Sequence, residues 1–334
     1  MYLCEVYVTN PSLNVNRPFT YVYDQPLEKY VRVKVLFNRT SNLAIVVSCK
    51  KTDQSREEIE QSLGFKVQEI LEVIDEESVI SDEIFELATW LSKTTISPFI
   101  SCLNAMLPKA LKTSKSLKGP KMLRRLHKNE GDFTFTKRQK EIFDLIDEGM
   151  LTAEARKMSV SIVNKLIMNG ALSEYEEEAQ YENSNIEQKD FKTLTAEQQN
   201  AYDSIISTDQ VVSLLFGVTG SGKTEVYLHL ADYYLKQNKD VLIMVPEISL
   251  TPQMIERVKE RFQDVVFYHS ELSDQERYEQ YMRVKEGEVR IVVGTRSSVF
   301  LPFHDLGIII LDEEHDSSYK QDNVPCYHAR NVAI

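Results

Sequence analysis

The fold of this chain is decided by the stretch LLFGVTGSGKTEVY, which runs from Leu214 to Tyr227. An apolar run ends at Phe216, glycines follow it, and a helical pattern continues from Thr224 to about Gln237. This order of strand, GxxxxGK[ST] and helix is the context that a phosphate-binding P-loop requires. The glycines let backbone N–H groups point at phosphate oxygens, and the start of the helix favours negative charge. The stretch therefore predicts binding of ATP or GTP.

Two side chains of this loop have expected contacts. Lys223 would reach the β- and γ-phosphates, and the Thr224 hydroxyl would be a ligand of Mg²⁺. The apolar run before the loop, Val211–Phe216, is predicted to be a buried strand. A chance glycine-rich turn is the alternative, and the flanking patterns disfavour it. The predicted nucleotide-binding residues of the loop are Gly217, Val218, Thr219, Gly220, Ser221, Gly222, Lys223 and Thr224.

A second apolar run, Ile308–Leu311, leads directly into acidic residues. An acidic cluster after a strand is often only the solvent-exposed edge of a sheet, which is the alternative interpretation. Because Lys223 lies upstream in the same kind of strand–helix unit, we favour a catalytic interpretation. Asp312 would then hold Mg²⁺, and Glu313 would orient or deprotonate the attacking water.

The region after Leu194 alternates between strand and helix patterns, which predicts a parallel sheet covered by helices. The predicted strands are Val211–Phe216, Val241–Val245, Val265–Tyr268, Arg290–Gly294 and Leu306–Leu311, and the helices are near Thr224–Gln237, Gln253–Phe262 and Asp274–Glu286. The first hundred residues differ. Short alternating runs separated by turn residues, followed by a helical pattern at Ser81–Ser92, predict a small β-rich domain closed by a helix.

Between these regions lie three short helical patterns, Lys137–Glu148, Thr152–Lys157 and Val160–Asn169, with Gly170 as a candidate C-cap. They fit a winged-helix or helix-turn-helix module, and a plain three-helix bundle is an open alternative.

The charge of the chain is unevenly distributed. The 334 residues carry a formal net charge of −12, yet the stretch from Lys109 to Lys128 contains eight lysines and arginines and no acidic residue. Phosphate contacts depend on local positive surface rather than on the total charge. This stretch could serve nucleic-acid binding, and a solvated basic linker is an equally good interpretation.

The number and spacing of the cysteines indicate a protein of a reducing compartment. The four cysteines, Cys4, Cys49, Cys102 and Cys326, are far apart and show no CxxC spacing, so they predict reduced cytosolic thiols and no zinc site. No apolar run approaches the length of a membrane span, and the N-terminus lacks the pattern of a signal peptide. We therefore expect no membrane partner.

The motifs together resemble the PriA family of superfamily 2 DNA helicases, which restart replication. The resemblance rests on GVTGSGKTEVY at 217–227, VPEISLTPQ at 245–253, GTRSSVF at 294–300, DEEHD at 312–316 and SSYKQDNVPCYHARNVAI at 317–334. It extends more weakly to NRPFTY at 16–21, VKVLFN at 33–38 and AMLPKAL at 105–111.

The resemblance implies an ATP-dependent 3′-to-5′ DNA helicase or translocase that recognises stalled or branched replication forks and initiates primosome assembly. Its cofactors would be ATP and Mg²⁺. Its partners would be forked or branched DNA, single-stranded DNA, primosome loader proteins and single-strand-binding protein, in the bacterial cytoplasm at the nucleoid. An RNA helicase of the same superfamily is a less favoured alternative.

The resemblance also implies roles for residues outside the P-loop. Gln198 would contact adenine, although Thr195 and Gln198 also form a capping box that merely starts a helix. Arg296 would meet DNA or couple it to ATP, with a structural ion pair as the alternative. An exposed aromatic-rich loop would contact DNA through Tyr319, Lys320, Tyr327 and His328, with buried core tyrosines as the alternative.

In this family the N-terminal domain captures the 3′-OH end of a nascent strand. The matching positions are Phe19, Thr20, Asn38 and Lys66. The family usually has Asp at the position of Thr20 and Gly at the position of Asn38. The missing acid removes the natural acceptor for a terminal hydroxyl, while general DNA contact is less affected.

The expected organisation is a β-rich 3′-end DNA-binding domain (1–107), a basic linker (108–130), a winged-helix-like domain (131–176), an acidic linker (177–192) and an incomplete first RecA-like lobe (193–334). The resemblance implies that a further strand, a zinc-binding insertion and a second lobe are missing, so zinc is not expected in this chain. We expect a fragment without unwinding activity. The alternative is a non-enzymatic DNA-structure-binding fragment that binds ATP weakly.

Overall fold

The computed structural model describes residues 1–114, 122–178, 188–218 and 220–334. The chain divides into two compact units. One unit combines Met1–Leu117 with Asn183–Ile334, and the other is Lys118–Glu182. In the described ranges, no helix has both the length and the apolar character that crossing a membrane requires.

The N-terminal part of the larger unit is a closed barrel with strand order β1-β2-β5-β3-β4. Its strands are β1 (Tyr2–Val8), β2 (Phe19–Tyr23), β3 (Arg32–Phe37), β4 (Thr40–Lys51) and β5 (Gln68–Val73). Alternate residues such as Val6 on β1 and Val33 on β3 fill the interior, as the two-residue period of a strand dictates. The prediction of a β-rich N-terminal part is confirmed, whereas β5 was not predicted.

Three helices accompany the barrel: α1 (Arg56–Leu63), α2 (Asp82–Thr95) and α3 (Phe99–Met106). The Ser81 side chain caps α2 by accepting the N–H of Ile84, as its sequence pattern predicts. Short 3₁₀ turns occur at Leu13–Val15 and Lys109–Lys112.

The barrel brings together two cysteines that are distant in sequence. Cys4 on β1 lies opposite Cys49 on β4, and their Sγ atoms are 2.6 Å apart. All four cysteines are free thiols. Antiparallel pairing of β1 with β4 therefore brings together two thiols that are 45 residues apart in sequence. Burial raises the pKa of Cys102 to about 11.

The smaller unit pairs β6 (Met122–Lys128) with β7 (Leu172–Glu178) in antiparallel fashion. Between these strands lie α4 (Lys137–Leu145) and α5 (Thr152–Met168), and α5 is interrupted by a non-helical Ser159. The three predicted helical pieces thus correspond to α4 and the two parts of α5. Apolar side chains of both helices and of β6 form one core.

The segment predicted as a basic linker, 108–130, is partly ordered secondary structure. Its first residues form the 3₁₀ turn Lys109–Lys112, and its last residues belong to β6. A strand does not require a continuous apolar pattern, so β6 was not recognised among the basic residues of this segment. Residues 115–121 lie outside the described ranges.

The C-terminal part of the larger unit is a four-stranded parallel sheet in the order β11-β8-β10-β9. The predicted parallel sheet covered by helices is therefore present. Its strands are β8 (Asp240–Met244), β9 (Val265–Tyr268), β10 (Ile291–Gly294) and β11 (Leu306–Leu311). Its helices are α6 (Ala196–Ser207), α7 (Lys223–Lys236), α8 (Pro252–Lys259), α9 (Asp274–Lys285) and α10 (Ala329–Ala333), with 3₁₀ turns at Glu247–Ser249, Arg296–Phe300 and Ser317–Tyr319.

One predicted strand of this sheet was wrong. Val211–Phe216 is not a strand, and Phe216 is 91% exposed. A strand is held by hydrogen bonds to a neighbour, and no described strand pairs with this run. β11 is instead the edge of the described sheet. Apolar composition predicts burial only where a partner surface is available.

The barrel helices and the parallel sheet share one hydrophobic core. Leu91 and Leu103 from α2 and α3 belong to the same buried cluster as Tyr281 and Phe300. Across the same boundary, the Lys285 ammonium donates to the Ser78 carbonyl at 2.7 Å. This continuity explains why the two parts form a single compact unit.

Candidate functional site

The glycine-rich loop before α7 adopts a conformation that requires glycine. Gly220 and Gly222 have φ values of +80° and +82°, in the left-handed region that other residues enter only at a cost. A Cβ atom at Gly217 would lie 2.7 Å from Ser221 Oγ. The loop therefore curls tightly in front of the first N–H groups of α7.

The lysine at the start of α7 folds back onto the loop. Lys223 Nζ donates to the carbonyl of Gly217 at 2.8 Å and approaches that of Val218 at 3.4 Å. The ammonium group, the N–H groups at the helix start and the glycine cradle concentrate positive potential at one point. These residues fit a phosphate chain. Thr219, which was predicted to belong to the loop, lies outside the described residues.

Gln198 on α6 completes the capping box and also contacts the glycine-rich loop, and its adenine contact stays a prediction. Its Oε1 accepts the N–H of Thr195 at 2.9 Å and completes the capping box. Its Nε2 donates to the carbonyl of Ser221 in the glycine-rich loop at 3.0 Å. The capping box therefore orients an amide that lies against the loop.

The acidic motif lies where β11 ends. The Asp312 N–H donates to the carbonyl of Met244 at the end of β8, at 2.9 Å. Glu313 has a φ of +48°, a strained conformation for a residue that is not glycine. Glu314 is paired with Arg330 of α10 at 2.8 Å. The carboxylates of Asp312 and Glu313 thus lie at a strained turn on the C-terminal edge of the sheet.

A tyrosine that the sequence reasoning missed joins α7 to this turn. The Tyr227 hydroxyl donates to Asp312 Oδ1 at 3.0 Å. Burial and the nearby Asp312 carboxylate raise the pKa of Tyr227, so the phenol keeps its proton. Its position in the sequence could have indicated this role, because Tyr227 follows Lys223 and Thr224 by one helical turn and so lies on the same face of α7.

The predicted exposed aromatic loop is corrected for two of its residues. Tyr319 and Tyr327 are buried, with 0% and 6% exposure, and their rings present no stacking surface. The Tyr319 hydroxyl contacts the carbonyls of Met244 and Asp312, and Tyr327 packs edge-on against Phe300. Burial raises the pKa of Tyr327 to about 12. The apolar area of a phenol ring outweighed the polar residues beside it in sequence.

The polar members of the same loop are more accessible. Lys320 is exposed and lies 3.2 Å from the carboxylate of Asp322. His328 is half-buried, and this burial lowers its pKa, with the Arg330 charge adding to the effect. The predicted positive charge of the loop therefore rests on Lys320 rather than on His328 near neutral pH.

Arg296 connects the GTRSSVF motif to the aromatic-rich loop. Its Nη1 donates to the carbonyl of Lys320 at 2.5 Å and to that of Ser318 at 3.3 Å. Within the described ranges these partners are main-chain carbonyls rather than the acid of the alternative ion pair, and the DNA contact of Arg296 stays a prediction. The guanidinium instead holds the backbone on both sides of Tyr319.

The four predicted N-terminal residues lie at one end of the barrel. β2 and β5 begin there because they are parallel, and β3 ends there because it is antiparallel to β5. Phe19 and the unpredicted Phe37 form an edge-to-face pair with ring centroids 4.9 Å apart. The neighbouring residues are Thr20 beside Phe19, Asn38 beside Phe37, Lys66 two residues before β5, and Arg17, whose guanidinium carbon lies 5.4 Å from the centre of the Phe19 ring.

The conformation of Asn38 explains why this residue is tolerated there. Its φ is +50°, in the left-handed region that asparagine enters more readily than other residues with side chains. Arg17, Asn38 and Lys66 are exposed, and Phe19 and Thr20 are half-buried. The barrel end therefore offers aromatic edges, cations and an amide to solvent.

Three of the described cations of the basic stretch are paired with acids of their own compact unit. Lys109 lies 2.9 Å from the carboxylate of Asp274 in the larger unit. In the smaller unit, the side chains of β7 face those of β6. Arg124 is paired with Glu176 at 3.1 Å, and Arg125 with Glu177 at 2.5 Å. These ion pairs favour a structural role for this part of the stretch.

Comparisons with known proteins divide the chain in the same way as its architecture. Residues 5–108 match the 3′DNA-binding domain (3′BD) family, and residues 195–330 match the DEAD/DEAH box helicase family. The first match covers the barrel with its helices, and the second covers the phosphate-binding loop and the acidic turn. The two matches define the class: a 3′DNA-binding domain followed by a DEAD/DEAH box helicase domain in one chain.

Individual relatives narrow this class. The chain is 33% identical over 420 residues to the replication restart protein PriA of Bacillus subtilis, covering 100% of this chain and 51% of the relative. It is 33% identical over 347 residues to that of Chlamydia pneumoniae (96% and 45% covered), and 44% identical over 182 residues to that of Synechocystis sp. (52% and 22% covered). The chain belongs to the PriA family and spans about half the length of the first two relatives.

Proposed function

We propose that this chain supplies the DNA-binding domain and the nucleotide-binding part of an ATP-dependent 3′-to-5′ DNA helicase. Its role would be to recognise stalled or branched replication forks and to initiate primosome assembly in the bacterial cytoplasm. Loader proteins and single-strand-binding protein would be its partners. One observation carries the proposal: the phosphate-binding loop and the acidic turn are joined directly through Tyr227 and Asp312.

The residues of a RecA-like lobe have natural roles in this arrangement. The glycine-rich loop and Lys223 would hold the phosphates, and Gln198 would lie beside the adenine. Thr224 and Asp312 would hold Mg²⁺, which neutralises charge on the transferred phosphate when it is bound. Glu313 would accept a proton from the attacking water.

DNA would be contacted by the barrel end and by the smaller unit. The Phe19–Phe37 pair would stack against a terminal base, and Arg17 and Lys66 would meet phosphates. The smaller unit, with α4, α5 and the β6–β7 pair, would be a winged helix. Thr20 provides no carboxylate for a terminal hydroxyl, so binding would not distinguish a 3′-OH from a 3′-phosphate end.

The test is a pair of binding measurements on the whole chain. Lys223→Ala should abolish binding of a fluorescent ATP analogue and leave binding of 3′-tailed DNA unchanged. Wild-type DNA binding should weaken steeply with salt, because phosphate contacts release counterions. Neutralising Lys112, Lys115, Lys118 and Lys121 together should flatten that salt dependence. Nucleotide binding that survives in Lys223→Ala would refute the P-loop assignment.

A second function is favoured by the exposed Val211–Phe216 run. Because no described strand pairs with it, this run gives the phosphate-binding loop no support from the described sheet. The chain would then bind branched DNA and bind ATP weakly without turning it over. ATP hydrolysis measured with and without forked DNA separates the two functions, since only the first predicts DNA-stimulated turnover.

A further inference from the structure

Tyr227 occupies a place between the two halves of the candidate nucleotide site. It lies on α7, is 6% exposed, and reaches a residue that is 85 positions away in sequence. Residues three and four apart share a helix face, so Tyr227 stands on the face that carries Lys223 and Thr224. A displacement of α7 would therefore change the hydrogen bond between Tyr227 and Asp312 directly.

The two oxygens of the Asp312 carboxylate differ in the hydrogen bonds that they accept. Asp312 Oδ1 accepts the Tyr227 hydroxyl at 3.0 Å and the Glu313 N–H at 3.1 Å. Within the described ranges, the hydrogen bonds of this carboxylate all end on Oδ1. Two donors occupy the lone pairs of one oxygen, so Oδ2 is the oxygen that stays open to a cation.

The main chain of Asp312 is held by hydrogen bonds that do not involve its carboxylate. Its N–H donates to the Met244 carbonyl, and its own carbonyl accepts the Tyr319 hydroxyl. These bonds fix the main chain but leave the side-chain torsions free. The orientation of the carboxylate plane therefore depends on the two donors at Oδ1. One of these is the adjacent backbone, which leaves Tyr227 as the contributing side chain.

We propose that Tyr227 is a positioning residue, which turns the Asp312 carboxylate so that Oδ2 faces a magnesium ion bound with the nucleotide. The inference rests on the proposed nucleotide-binding function and assigns it a residue of the outer coordination sphere. Such partners fix the orientation of a metal ligand, and their removal typically lowers metal affinity or activity by about 10–100-fold.

The alternative explanation is that Tyr227 contributes only through the packing of its ring. Tyr227 belongs to the buried cluster that also contains Ile243 and Ile310, and its ring would fill that space without any hydroxyl. Tyr227→Phe separates the two accounts, because it keeps the ring and removes only the donor. Tyr234→Phe is the matched control. Tyr234 lies on the same helix and packs against the same cluster, and it does not contact Asp312.

The experiment is a titration of Mg²⁺ into the whole chain with an N-methylanthraniloyl derivative of ADP, followed by fluorescence. In EDTA, all variants should bind the analogue equally, because the loop and Lys223 contact the phosphates without the metal. Tyr227→Phe should raise the Mg²⁺ concentration at half-saturation about tenfold or more. Tyr234→Phe should leave it at the wild-type value.

A double-mutant cycle tests whether Tyr227 acts through Asp312. Asp312→Ala should raise the Mg²⁺ half-saturation concentration, and adding Tyr227→Phe to it should change nothing further. Circular dichroism checks that each variant is folded. A wild-type Mg²⁺ response in Tyr227→Phe, or an equal further effect in the Asp312→Ala background, would overturn the inference while the nucleotide site stands. Absence of analogue binding by the wild type would overturn the proposed function and this inference together.

Discussion

The Tyr319 hydroxyl lies 2.7 Å from the main-chain carbonyl oxygen of Asp312, so the loop after the acidic motif is fastened to the motif itself. The same hydroxyl is 2.9 Å from the carbonyl of Met244 at the end of β8. Tyr319 is fully buried, so its hydroxyl has these carbonyls rather than water as partners. A side chain expected to meet DNA is instead a link inside the candidate catalytic turn.

Removing this hydroxyl should destabilise the fold. Tyr319→Phe removes the hydroxyl donor from the Asp312 carbonyl, while the Met244 carbonyl keeps the N–H of Asp312, and the free energy of unfolding should fall by about 1–3 kcal/mol. Urea denaturation measures the loss. Tyr281→Phe is the control, because the Tyr281 hydroxyl makes a longer contact, 3.5 Å, with the Val79 carbonyl. Equal losses in the two variants would contradict the importance of the Tyr319 contacts.

The contact between Gln198 and the glycine-rich loop can be tested with two glycines of the same backbone conformation. Gly220→Ala and Gly222→Ala should each cost roughly 1–2 kcal/mol, because both residues have a left-handed φ. A methyl group at Gly220 meets no atom within 4 Å, whereas one at Gly222 collides with Gln198 Nε2. Gly222→Ala should therefore cost about 0.5–1.5 kcal/mol more, the value of the displaced Gln198 hydrogen bonds.

The same comparison has an internal check. In a Gln198→Ala background the collision is gone, so the two glycine variants should become equally stable in urea denaturation. A difference that persists there would show that the extra cost has another origin than Gln198.

The continuous core of the larger unit predicts that its barrel and its parallel sheet unfold together. Trp90 on α2 is the single tryptophan of the chain, so its fluorescence reports on the barrel part. Tyr281→Ala, in α9, empties a fully buried position and should cost roughly 3–5 kcal/mol. The Trp90 transition should move to lower urea concentration by a matching amount. A Trp90 midpoint that does not move would mean that the two parts unfold independently.

Thiol reactivity should follow burial. Cys326 is exposed, whereas Cys102 is buried and its pKa is raised to about 11. Because the thiolate is the nucleophile, Cys102 stays protonated across pH 7–9 and should be alkylated far more slowly by iodoacetamide. Peptide mass spectrometry of the native chain gives both rates, and labelling in urea should remove the difference. Comparable native rates would contradict the buried position of α3.

The sequence by itself determined the features that depend on neighbouring residues. The capping box of Thr195 and Gln198, the glycine-rich loop before α7 and the strand–helix alternation of the parallel sheet all follow from short-range patterns and were predicted from them. The serine cap of α2 is found where its pattern placed it. The strands β1 to β4 were recognisable for the same reason, since alternation and turn residues are local properties.

Only the tertiary structure decided what each apolar or aromatic residue packs against. Val211–Phe216 has the composition of a buried strand but is exposed, because a strand requires a partner elsewhere in the chain. Tyr319 and Tyr327 stand among polar residues in sequence but are buried, because the sheet and Phe300 offer them apolar surface. The Tyr227–Asp312 contact joins residues far apart in sequence, and the Cys4–Cys49 pair depends on strand register. Pairing and packing are long-range interactions, and no local pattern encodes which distant residue will supply the partner.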